Sequence, residues 1–348
     1  MRDSELVRNA YRLILGREPE NETCLSLEFN DVYSLRKHFM QSEEFQSLLS
    51  DNTYMNHYYS ITTFEEYDEF IELCKQYEKD QEALLKVCAE YILDPQPFFK
   101  LFGSMPYEGD PFSREYADWE FAFFEFLSGQ KYFSGNEGAG METEELSATL
   151  FYPCQSQIRS FERCAKFLKA IRPNAGDRVF EMGFGWGALL EALGRCGCRV
   201  AGLDVSKTLC EYVKRRLGDQ NIEANLINGS FFAIEQVEGT FDCIIFESSF
   251  HHCADPVRLM NIVSKKLAVG GRLIFLDEPV YPVLDRPWGV TRYDGQALMA
   301  VRMQGWLEYG FRADFFEQML QRAGLKLQAA HQQAVGTPVY EAVKILDQ

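Results

Sequence analysis

The stretch RVFEMGFGWGALLEALGRCGCRVAGLDVS, Arg178–Ser206, decides the fold class of this chain. Its start, RVFEM, is apolar enough to predict a buried strand, and the glycines of GFGWG predict a tight turn. ALLEALGR has the apolar spacing of a helix, and RVAGLDVS predicts a second strand that ends at Asp204. A strand, a glycine turn, a helix and a second strand make up the unit that binds a nucleotide-containing cofactor at the turn.

Strands and helices continue to alternate from about residue 158 to the end of the chain. RSFERCAKFLKAI and TLCEYVKRRLG have helical spacing, whereas FDCIIFESS and RLIFLDEPV predict buried strands. This alternation predicts a parallel sheet with helices on both faces. The last two strand candidates, LKLQAAHQQ and PVYEAVKIL, are joined by AVGT, which is short enough for an antiparallel hairpin.

The charge of the chain is concentrated in its first part. The 348 residues carry a formal net charge of -17. Residues 1–150 have 12 Lys and Arg against 30 Asp and Glu, whereas residues 151–348 have 23 against 22. A chain of this length has room for two or three domains. Because it is acidic and has no basic stripe, we do not expect nucleic acid to be its main partner.

Compartment and metal content are also constrained by the sequence. No apolar run reaches the roughly 20 residues of a membrane helix, and the charged N-terminus has no secretory signal pattern. The ten cysteines are scattered without a CxxC pair, which is typical of reduced thiols in the cytoplasm. We therefore predict a cytoplasmic protein with no membrane span and no structural zinc site, and we assign no metal ligands.

The glycine spacing fits two cofactor classes. GFGWGA matches the fingerprint of a dinucleotide site, and Asp204 lies 21 residues after Gly183, where a ribose-binding acid belongs. Glu181 favours the other class, because a carboxylate at the end of the strand would repel a pyrophosphate. S-adenosylmethionine has no phosphate, and its sulfonium and ammonium groups can bind an acid. We therefore expect S-adenosylmethionine, with a nicotinamide-dependent dehydrogenase as the weaker alternative.

Residues from about 158 to 348 resemble a class I S-adenosylmethionine-dependent methyltransferase. VFEMGFGWG resembles the first motif of that family, GLDVS the second and FDCIIFESSFHH the fourth, and LAVGGRLIFLDE resembles the segment that leads into strand five. The resemblance implies an α/β fold with a Rossmann-like, seven-stranded methyltransferase sheet, parallel except for a terminal antiparallel hairpin. An all-α N-terminal region would precede it.

The resemblance also implies roles for individual residues. Glu181 would lie toward the methionine ammonium, and Asp204 would bind both ribose hydroxyls. The tight turn and the close approach of the cofactor would depend on three glycines, Gly183, Gly185 and Gly187. Val205 and Phe231 would pack against the adenine. The third motif of the family usually ends in Gly-Asp, but this chain has NGSFF, so Ser230 would accept the hydrogen bond from the adenine amino group. Two further residues complete the expected cofactor contacts, Phe184 and Glu247.

Three residues are the catalytic candidates. Methyl transfer is an in-line displacement, and an alcohol acceptor must also lose a proton to a general base. FESSFHHCADP places His251 and His252 after strand four, and LDEPV places Glu278 after strand five. In an extended backbone the two histidines point apart, so we expect one of them to face the substrate. An alternative role for Glu278 is to hold a hydroxyl or a metal, although nothing in the spacing demands a metal.

The front of the chain predicts two helical regions. In residues 1–50, YRLILGREPE and FMQSEEF resemble a phycobilisome-linker-like helical domain, whose neighbours often act on cell-surface glycans. Residues 51–150 would form a helical, aromatic-rich connecting or cap region. It has a long helical pattern at 62–93, a loop over DPQPFFKLFGSMPYEGDPFS, and an aromatic stretch at 116–133 that is either core helix or a cap over the ligand.

The methyltransferase domain would span residues 151–348 with an insertion at 281–310. That insertion and the stretch at 116–133 are the candidate walls of the acceptor site. Aromatic and charged side chains in and beside the insertion suit a carbohydrate or another polar metabolite: Arg286, Trp288, Arg292, Tyr293, Asp294 and Trp306. A structural insertion or a dimer contact is the alternative.

These residues lead to one main expectation about function. We expect methyl transfer to a small or glycan-type acceptor, with O-methylation of a sugar in polysaccharide or natural-product biosynthesis as the leading possibility. The alternatives are N-methylation of an amino sugar or another metabolite, and a non-catalytic scaffold that binds the cofactor. The N-terminal helical region would contact a second copy of the chain or a partner in a biosynthetic complex.

Overall fold

The structure is a computed structural model that divides into two compact units, Met1–Ser60 and Ile61–Gln348. It describes residues 58–138, 154–332 and 338–345 continuously, and before them residues 4, 7, 8, 11, 19, 21, 23–27, 29, 35, 38, 39 and 42. The cysteines whose side chains are described are free thiols. Within these residues, every helix is too short or too polar to cross a membrane.

The first unit has a small apolar cluster. Val7, Leu25, Leu35 and Phe39 are buried together, and the ring of Tyr11 meets that of Phe39 edge-on at 4.8 Å. A short 3-10 turn covers Cys24–Ser26. Much of YRLILGREPE and FMQSEEF lies outside the described residues, so the resemblance to a linker-like domain stays a prediction.

The front of the second unit is mainly helical. Its elements, with β1 crossing the boundary between the units, are β1 (Tyr59–Ile61), α1 (Phe64–Gln76), α2 (Gln81–Ala89), β2 (Tyr91–Leu93), α3 (Pro95–Phe102), α4 (Arg114–Ser128) and a 3-10 turn at Ser134–Gly138. From Ile61 onward, these elements belong to the same compact unit as the segment that resembles a methyltransferase.

Two expectations for this front part are wrong in detail. The helical pattern at 62–93 forms two helices, because the side chain of Asp80 accepts a hydrogen bond from the N–H of Ala83 and starts α2. The predicted loop after residue 93 contains α3. Asp94 caps that helix through the N–H of Gln96, and Pro95 fits its first turn because no N–H is needed there.

The rest of the second unit alternates as predicted. Its helices are α5 (Cys154–Ile171), α6 (Ala188–Arg195), α7 (Lys207–Gly218), α8 (Pro256–Lys266), α9 (Gly295–Met299) and α10 (Ala313–Arg322), with 3-10 turns at Phe231–Gln236 and Phe250–His252 and a π-helical turn at Ala300–Gln304. Its strands are β3 (Arg178–Met182), β4 (Arg199–Asp204), β5 (Ala224–Asn228), β6 (Phe241–Glu247), β7 (Leu267–Leu276), β8 (Val280–Tyr281), β9 (Trp288–Gly289), β10 (Gly310–Arg312), β11 (Leu325–Gln332) and β12 (Pro338–Lys344).

Seven of these strands form one sheet in the order β11-β12-β7-β6-β3-β4-β5. β3 pairs in parallel with β4 and β6, β4 with β5, and β6 with β7. β12 runs antiparallel to both β7 and β11. The predicted fold class, a Rossmann-like seven-stranded sheet closed by an antiparallel hairpin, is confirmed.

Successive residues of a strand belong to opposite faces of the sheet. Val179 packs on the side of α5, α6 and α7, in a cluster that includes Phe167, Leu190 and Val213. Phe180 belongs to the cluster on the other side, which includes α8 and α10. The alternation places Glu181 on the face of Val179, beside α6. The carboxyl ends of β3, β4, β6 and β7 share one edge, where the loops that follow them meet.

The predicted insertion builds a second, three-stranded sheet in the order β8-β10-β9. Phe311 pairs with Val280 in parallel and with Trp288 in antiparallel register. The insertion is bound to the front helices, since the Tyr116 hydroxyl donates to the carbonyl oxygen of Trp288 at 2.9 Å. The insertion therefore connects α4 to the carboxyl end of β7, the strand that precedes it.

Candidate functional site

The glycine turn between β3 and α6 has three residues in the left-handed backbone region. The φ angles are 74° at Gly183, 48° at Gly185 and 70° at Gly187, a conformation that glycine adopts without strain. A Cβ atom on Gly187 would lie 2.5 Å from Cγ1 of Val213, whereas one on Gly185 would meet no atom within 4 Å. Gly187 therefore allows α7 to pack, and Gly185 leaves open space for a ligand.

Asp204 holds this turn from the end of β4. Gly185 N–H donates to Oδ2 at 2.8 Å, and Ser206 N–H donates to Oδ1 at 2.9 Å. Burial raises the pKa of Asp204, and the hydrogen bonds from Ser206 and Gly185 oppose that rise. Each carboxylate oxygen keeps a second lone pair. Asp204 can thus accept two more hydrogen bonds, which is what a ribose diol offers.

Glu181 has an unpaired carboxylate oxygen in the interior. The residue is 1% exposed, and its Oε2 makes no hydrogen bond within the described residues. Burial raises its pKa well above the usual value, with further repulsion from Glu247 and Asp204. An unpaired buried acid is costly unless a donor or a cation satisfies it. An ammonium group at the cofactor edge would satisfy this oxygen.

Glu247, at the end of β6, forms an ion pair with Arg163. Nε of Arg163 lies 2.9 Å from its Oε1. The same guanidinium donates to Ser248 Oγ at 2.8 Å and to Asp277 Oδ2 at 3.1 Å. Burial raises the pKa of Glu247, and Arg163 opposes the rise. In this arrangement Arg163 of α5 covers the carboxyl ends of β6 and β7.

One pocket lies beyond the glycine turn, with about 690 Å³ of empty space, partly open to solvent. Six of the ten predicted cofactor residues line it: Gly183, Gly185, Asp204, Val205, Ser230 and Phe231. The other four, Glu181, Phe184, Gly187 and Glu247, are not among the residues that line it. Phe184 is 4% exposed and packs in the core on the α6 side. Ser230 is exposed, and its hydroxyl does not cap the 3-10 turn that follows it.

The opposite wall comes from the front region and the insertion. Tyr132, Glu137, His252 and Trp306 line the pocket there. The Trp306 indole N–H donates to the carbonyl of Asn136, so the turn at 134–138 and the insertion are joined. The aromatic stretch and Trp306 were predicted acceptor walls. Glu137 was missed, because no local pattern links it to a histidine far along the chain.

His252 is the catalytic candidate that lines this pocket. Its Nδ1 lies 3.0 Å from Oε2 of Glu137, and its ring meets that of Trp306 edge-on at 5.8 Å. Burial lowers the pKa of His252, but the neighbouring Glu137 carboxylate more than compensates and raises it to about 9. His252 therefore faces the space next to the cofactor turn.

Glu278 and His251 lie behind His252. Glu278 Oε1 accepts hydrogen bonds from the N–H groups of Ser249 and Phe250, both at 2.8 Å. Its Oε2 lies 2.8 Å from Nδ1 of His251 and accepts the N–H of the same residue at 3.2 Å. Burial raises the pKa of Glu278 to about 7, with the amides opposing. Burial and His252 hold the pKa of His251 well below its usual value. Glu278 thus fixes the turn that carries both histidines.

Two expected acceptor-wall residues have a structural role instead. Trp288 is fully buried, so it cannot contact an acceptor. Arg286 is also buried, and its Nε lies 2.7 Å from Oε1 of Glu120 in α4. Both residues hold the insertion against α4, and the expectation that they line the acceptor site is wrong.

Residues 180–275 match the family model described as a methyltransferase domain. This segment contains the glycine turn, Asp204 and both histidines, and the match confirms the predicted methyltransferase domain there. A sarcosine/dimethylglycine N-methyltransferase of Halorhodospira halochloris is 27% identical over 140 residues, which cover 37% of this chain and 50% of that protein. A ubiquinone biosynthesis O-methyltransferase of Coxiella burnetii is 29% identical over 100 residues, covering 29% and 43%. The chain thus spans half or less of the length of these relatives.

Solved structures of methyltransferases are also similar. An S-adenosylmethionine-dependent methyltransferase from Mesorhizobium loti has a TM-score of 0.42 and 17% identity, covering 51% of this chain and 96% of that one. The magnesium protoporphyrin IX methyltransferase of Synechocystis with bound SAH has a TM-score of 0.40 and 16% identity, covering 54% and 83%.

Proposed function

We propose that this chain is an S-adenosylmethionine-dependent methyltransferase that acts on a small, polar acceptor. One observation carries the proposal. The glycine turn, Asp204 and His252 line one and the same pocket. Such a pocket brings a bound methyl donor and an acceptor next to each other, as in-line transfer requires.

The geometry of the turn supports the proposed cofactor contacts. Asp204 takes the ribose hydroxyls with its remaining lone pairs, and the bare Cα of Gly185 leaves room for the cofactor. Glu181 takes the methionine ammonium with its unpaired oxygen. Val205 and Phe231 pack on the adenine, and Ser230 accepts from its amino group. Glu247 also contributes to cofactor binding, because its carboxylate can bind the methionine ammonium together with Arg163.

The transfer step uses the groups on the opposite wall. The acceptor oxygen attacks the methyl carbon, the bond from carbon to sulfur breaks, and S-adenosylhomocysteine leaves. We assign the acceptor proton to His252, which lines the pocket. Because Glu137 raises the pKa of His252 to about 9, it accepts this proton in its neutral form, whose share increases as the pH rises toward 9. His251 and Glu278 are positioning residues, because Glu278 binds three backbone N–H groups of their turn. Tyr132 and Trp306 help to exclude water.

Polar side chains around His252 support a polar acceptor. Glu137 lines the pocket beside His252, and its carboxylate oxygens can accept further hydrogen bonds from a ligand. Hydroxyl groups of a sugar would satisfy such atoms. We therefore keep O-methylation of a sugar or glycan as the first acceptor class. N-methylation of an amino sugar or another metabolite is the second, and it would depend less on His252.

Titration calorimetry tests the cofactor half of the proposal. We expect S-adenosylmethionine and S-adenosylhomocysteine to bind with one site per chain. Asp204→Asn should weaken binding at least tenfold, because hydrogen bonds to a charged group contribute about 1.5–3 kcal/mol. Asp219→Asn, at an exposed carboxylate on the end of α7, is the matched control and should leave binding unchanged. Wild-type protein without any cofactor binding would overturn the proposal.

Mass spectrometry tests the acceptor half. Free sugars, sugar nucleotides and amino sugars are incubated with the protein and S-adenosylmethionine, and products are searched for one added methyl group. His252→Gln should slow O-methylation strongly and N-methylation little. Cofactor binding without transfer to any acceptor would favour the scaffold alternative, in which the N-terminal unit recruits a biosynthetic partner.

A further inference from the structure

His251, His252 and Glu308 form a compact group of potential ligand atoms. One nitrogen of each histidine and one oxygen of Glu308 all lie within 4.8 Å of one another. His251 is 7% exposed and Glu308 is 9% exposed. From this geometry we propose that the three residues bind one divalent transition-metal ion, of the class that prefers imidazole and carboxylate ligands.

The hydrogen bonds around His251 leave one ring nitrogen free to bind a metal. Both oxygens of Glu278 accept backbone N–H groups, so Glu278 acts as an acceptor and Nδ1 of His251 is the donor to it. The lone pair is then on Nε2. A carboxylate behind a histidine is the usual arrangement that orients a metal-binding imidazole.

The free nitrogen of His251 faces another acceptor. Its Nε2 lies 3.8 Å from Oε2 of Glu308. A lone pair and a carboxylate oxygen at this distance form no hydrogen bond with each other. A cation between them would satisfy both. Ligands of one zinc-class ion lie about 2.0–2.2 Å from the metal, so a small rotation of the two side chains suffices.

Glu137 lies next to His252 and adds a further carboxylate to the cluster. Its Oε2 is 3.0 Å from Nδ1 of His252, an ion-pair contact that a metal on the imidazole would replace. Glu137 therefore offers a further carboxylate oxygen beside the three ligands. Because His252 and Glu137 both line the cofactor pocket, an open coordination position would face the acceptor.

The charges of the cluster also favour a divalent cation. Glu137, Glu278 and Glu308 supply three carboxylates with side chains at most 10% exposed. Arg292, which contacts Glu308, is the guanidinium that faces them, and it is shared with the half-exposed Asp294. A bound metal would displace the proton that Glu137 stabilises on His252. Both imidazoles would then be neutral, and the three carboxylates and Arg292 would leave two negative charges. A divalent ion would neutralise them.

Arg292 is the competitor for the metal. It contacts Oε2 of Glu308, the same oxygen that faces His251. Metal binding requires Arg292 to yield that oxygen or Glu308 to turn its other oxygen inward. Two histidines and one carboxylate are the ligand set of open catalytic sites, where the metal polarises a bound oxygen. In the loaded protein the ion would make an acceptor hydroxyl more acidic. His252 would then be a ligand of the ion and would no longer accept the acceptor proton, which distinguishes this state from the metal-free transfer proposed above.

Cobalt titration tests this site without cofactor or acceptor. Chelator-treated full-length protein is titrated with Co²⁺, followed by visible absorption, and with Zn²⁺ as competitor. We expect one bound ion per chain. His252→Gln and Glu308→Gln should each weaken binding at least about tenfold. His38→Gln, at an exposed histidine of the first unit, is the matched control and should bind as wild type does.

Two outcomes would overturn the site. One is wild-type protein that binds no Co²⁺, and the other is binding that both ligand variants retain. Circular dichroism shows whether each variant folds. If Glu308→Gln does not fold, the cobalt affinity of His252→Gln tests the site. Because the test uses metal alone, its failure leaves the proposed methyl transfer intact, whereas loss of cofactor binding leaves the metal site intact.

Discussion

Arg286 and Glu120 form a buried ion pair between the insertion and α4. The Arg286 Nε lies 2.7 Å from Oε1 of Glu120, and both side chains are at most 5% exposed. Val290 N–H donates to the other oxygen of Glu120 at 3.0 Å. The guanidinium also lies 5.2 Å from the ring centroid of Phe99. The pair therefore fixes the insertion to α4. The segment after α4 and the insertion supply Tyr132, Glu137 and Trp306 to the pocket.

Replacing Glu120 should destabilise the second unit strongly. Glu120→Gln breaks the buried pair and leaves the Arg286 charge with the half-exposed Asp285 as its remaining carboxylate partner. Removing one member of a buried pair typically costs about 3–5 kcal/mol of unfolding free energy. Asp118→Asn is the control on the same helix, since Asp118 pairs with Arg114 in solvent and such pairs contribute about 0–1 kcal/mol. Urea unfolding measures both. Equal, small changes in the two variants would contradict the structural role of the pair.

Cofactor binding should release a proton from Glu181. Burial, Glu247 and Asp204 raise the pKa of this acid in the free protein, whereas a bound ammonium favours the carboxylate and lowers that pKa. Affinity should thus increase with pH as Glu181 of the free protein loses its proton, until the cofactor's own amino group begins to titrate near pH 8. Calorimetry in two buffers of different ionisation enthalpy measures the released proton.

Glu181→Gln provides the control for that experiment. The variant should bind S-adenosylmethionine about 10–100-fold more weakly, because it loses a charge-assisted hydrogen bond. It should also lose most of the increase of affinity with pH that the wild type shows. An unchanged slope of affinity against pH in the variant would assign the proton to another group.

Replacing Gly185 or Gly187, in the turn between β3 and α6, by alanine should have different effects on stability and on cofactor affinity. At Gly187 the new Cβ would lie 2.5 Å from Val213, so Gly187→Ala should lower the unfolding free energy by about 1–3 kcal/mol. At Gly185 the Cβ meets only open space, so stability should fall by about 1–2 kcal/mol from backbone strain alone. Cofactor affinity, however, should fall much more for Gly185→Ala than for Gly187→Ala. Urea unfolding and calorimetry on both variants separate the two effects.

The sheet could be predicted from the sequence because its signals are local. Apolar runs such as VFEM and CIIF predict the strands, and closely spaced glycines predict the turn after β3. Asp204 could be placed for the same reason, since the strand that carries it ends where the carboxyl ends of parallel strands meet. The hairpin at the end of the chain follows from two strand patterns joined by a short link.

The outer half of the site could not be predicted, because its contacts join distant segments. Glu137 meets His252, and Glu120 meets Arg286, through packing that no local pattern records. Trp288 has the composition of a binding residue but lies in the core, where Tyr116 bonds to its carbonyl. Aromatic and charged residues in an insertion therefore do not distinguish a ligand wall from a packed interface.

Glu278→Gln should separate positioning from cofactor binding. The new amide oxygen can still accept from Ser249 and Phe250, but its NH₂ group would face the N–H and Nδ1–H of His251, placing donors against donors. The turn that carries both histidines should shift, with a loss of about 1–3 kcal/mol in stability. We expect kcat to fall at least tenfold while the Kd for S-adenosylhomocysteine stays unchanged, because Glu278 does not line the pocket. Glu238→Gln, at an exposed glutamate, is the control. If kcat and cofactor affinity fall together, Glu278 supports the cofactor pocket as a whole, and its assignment to the histidine turn is wrong.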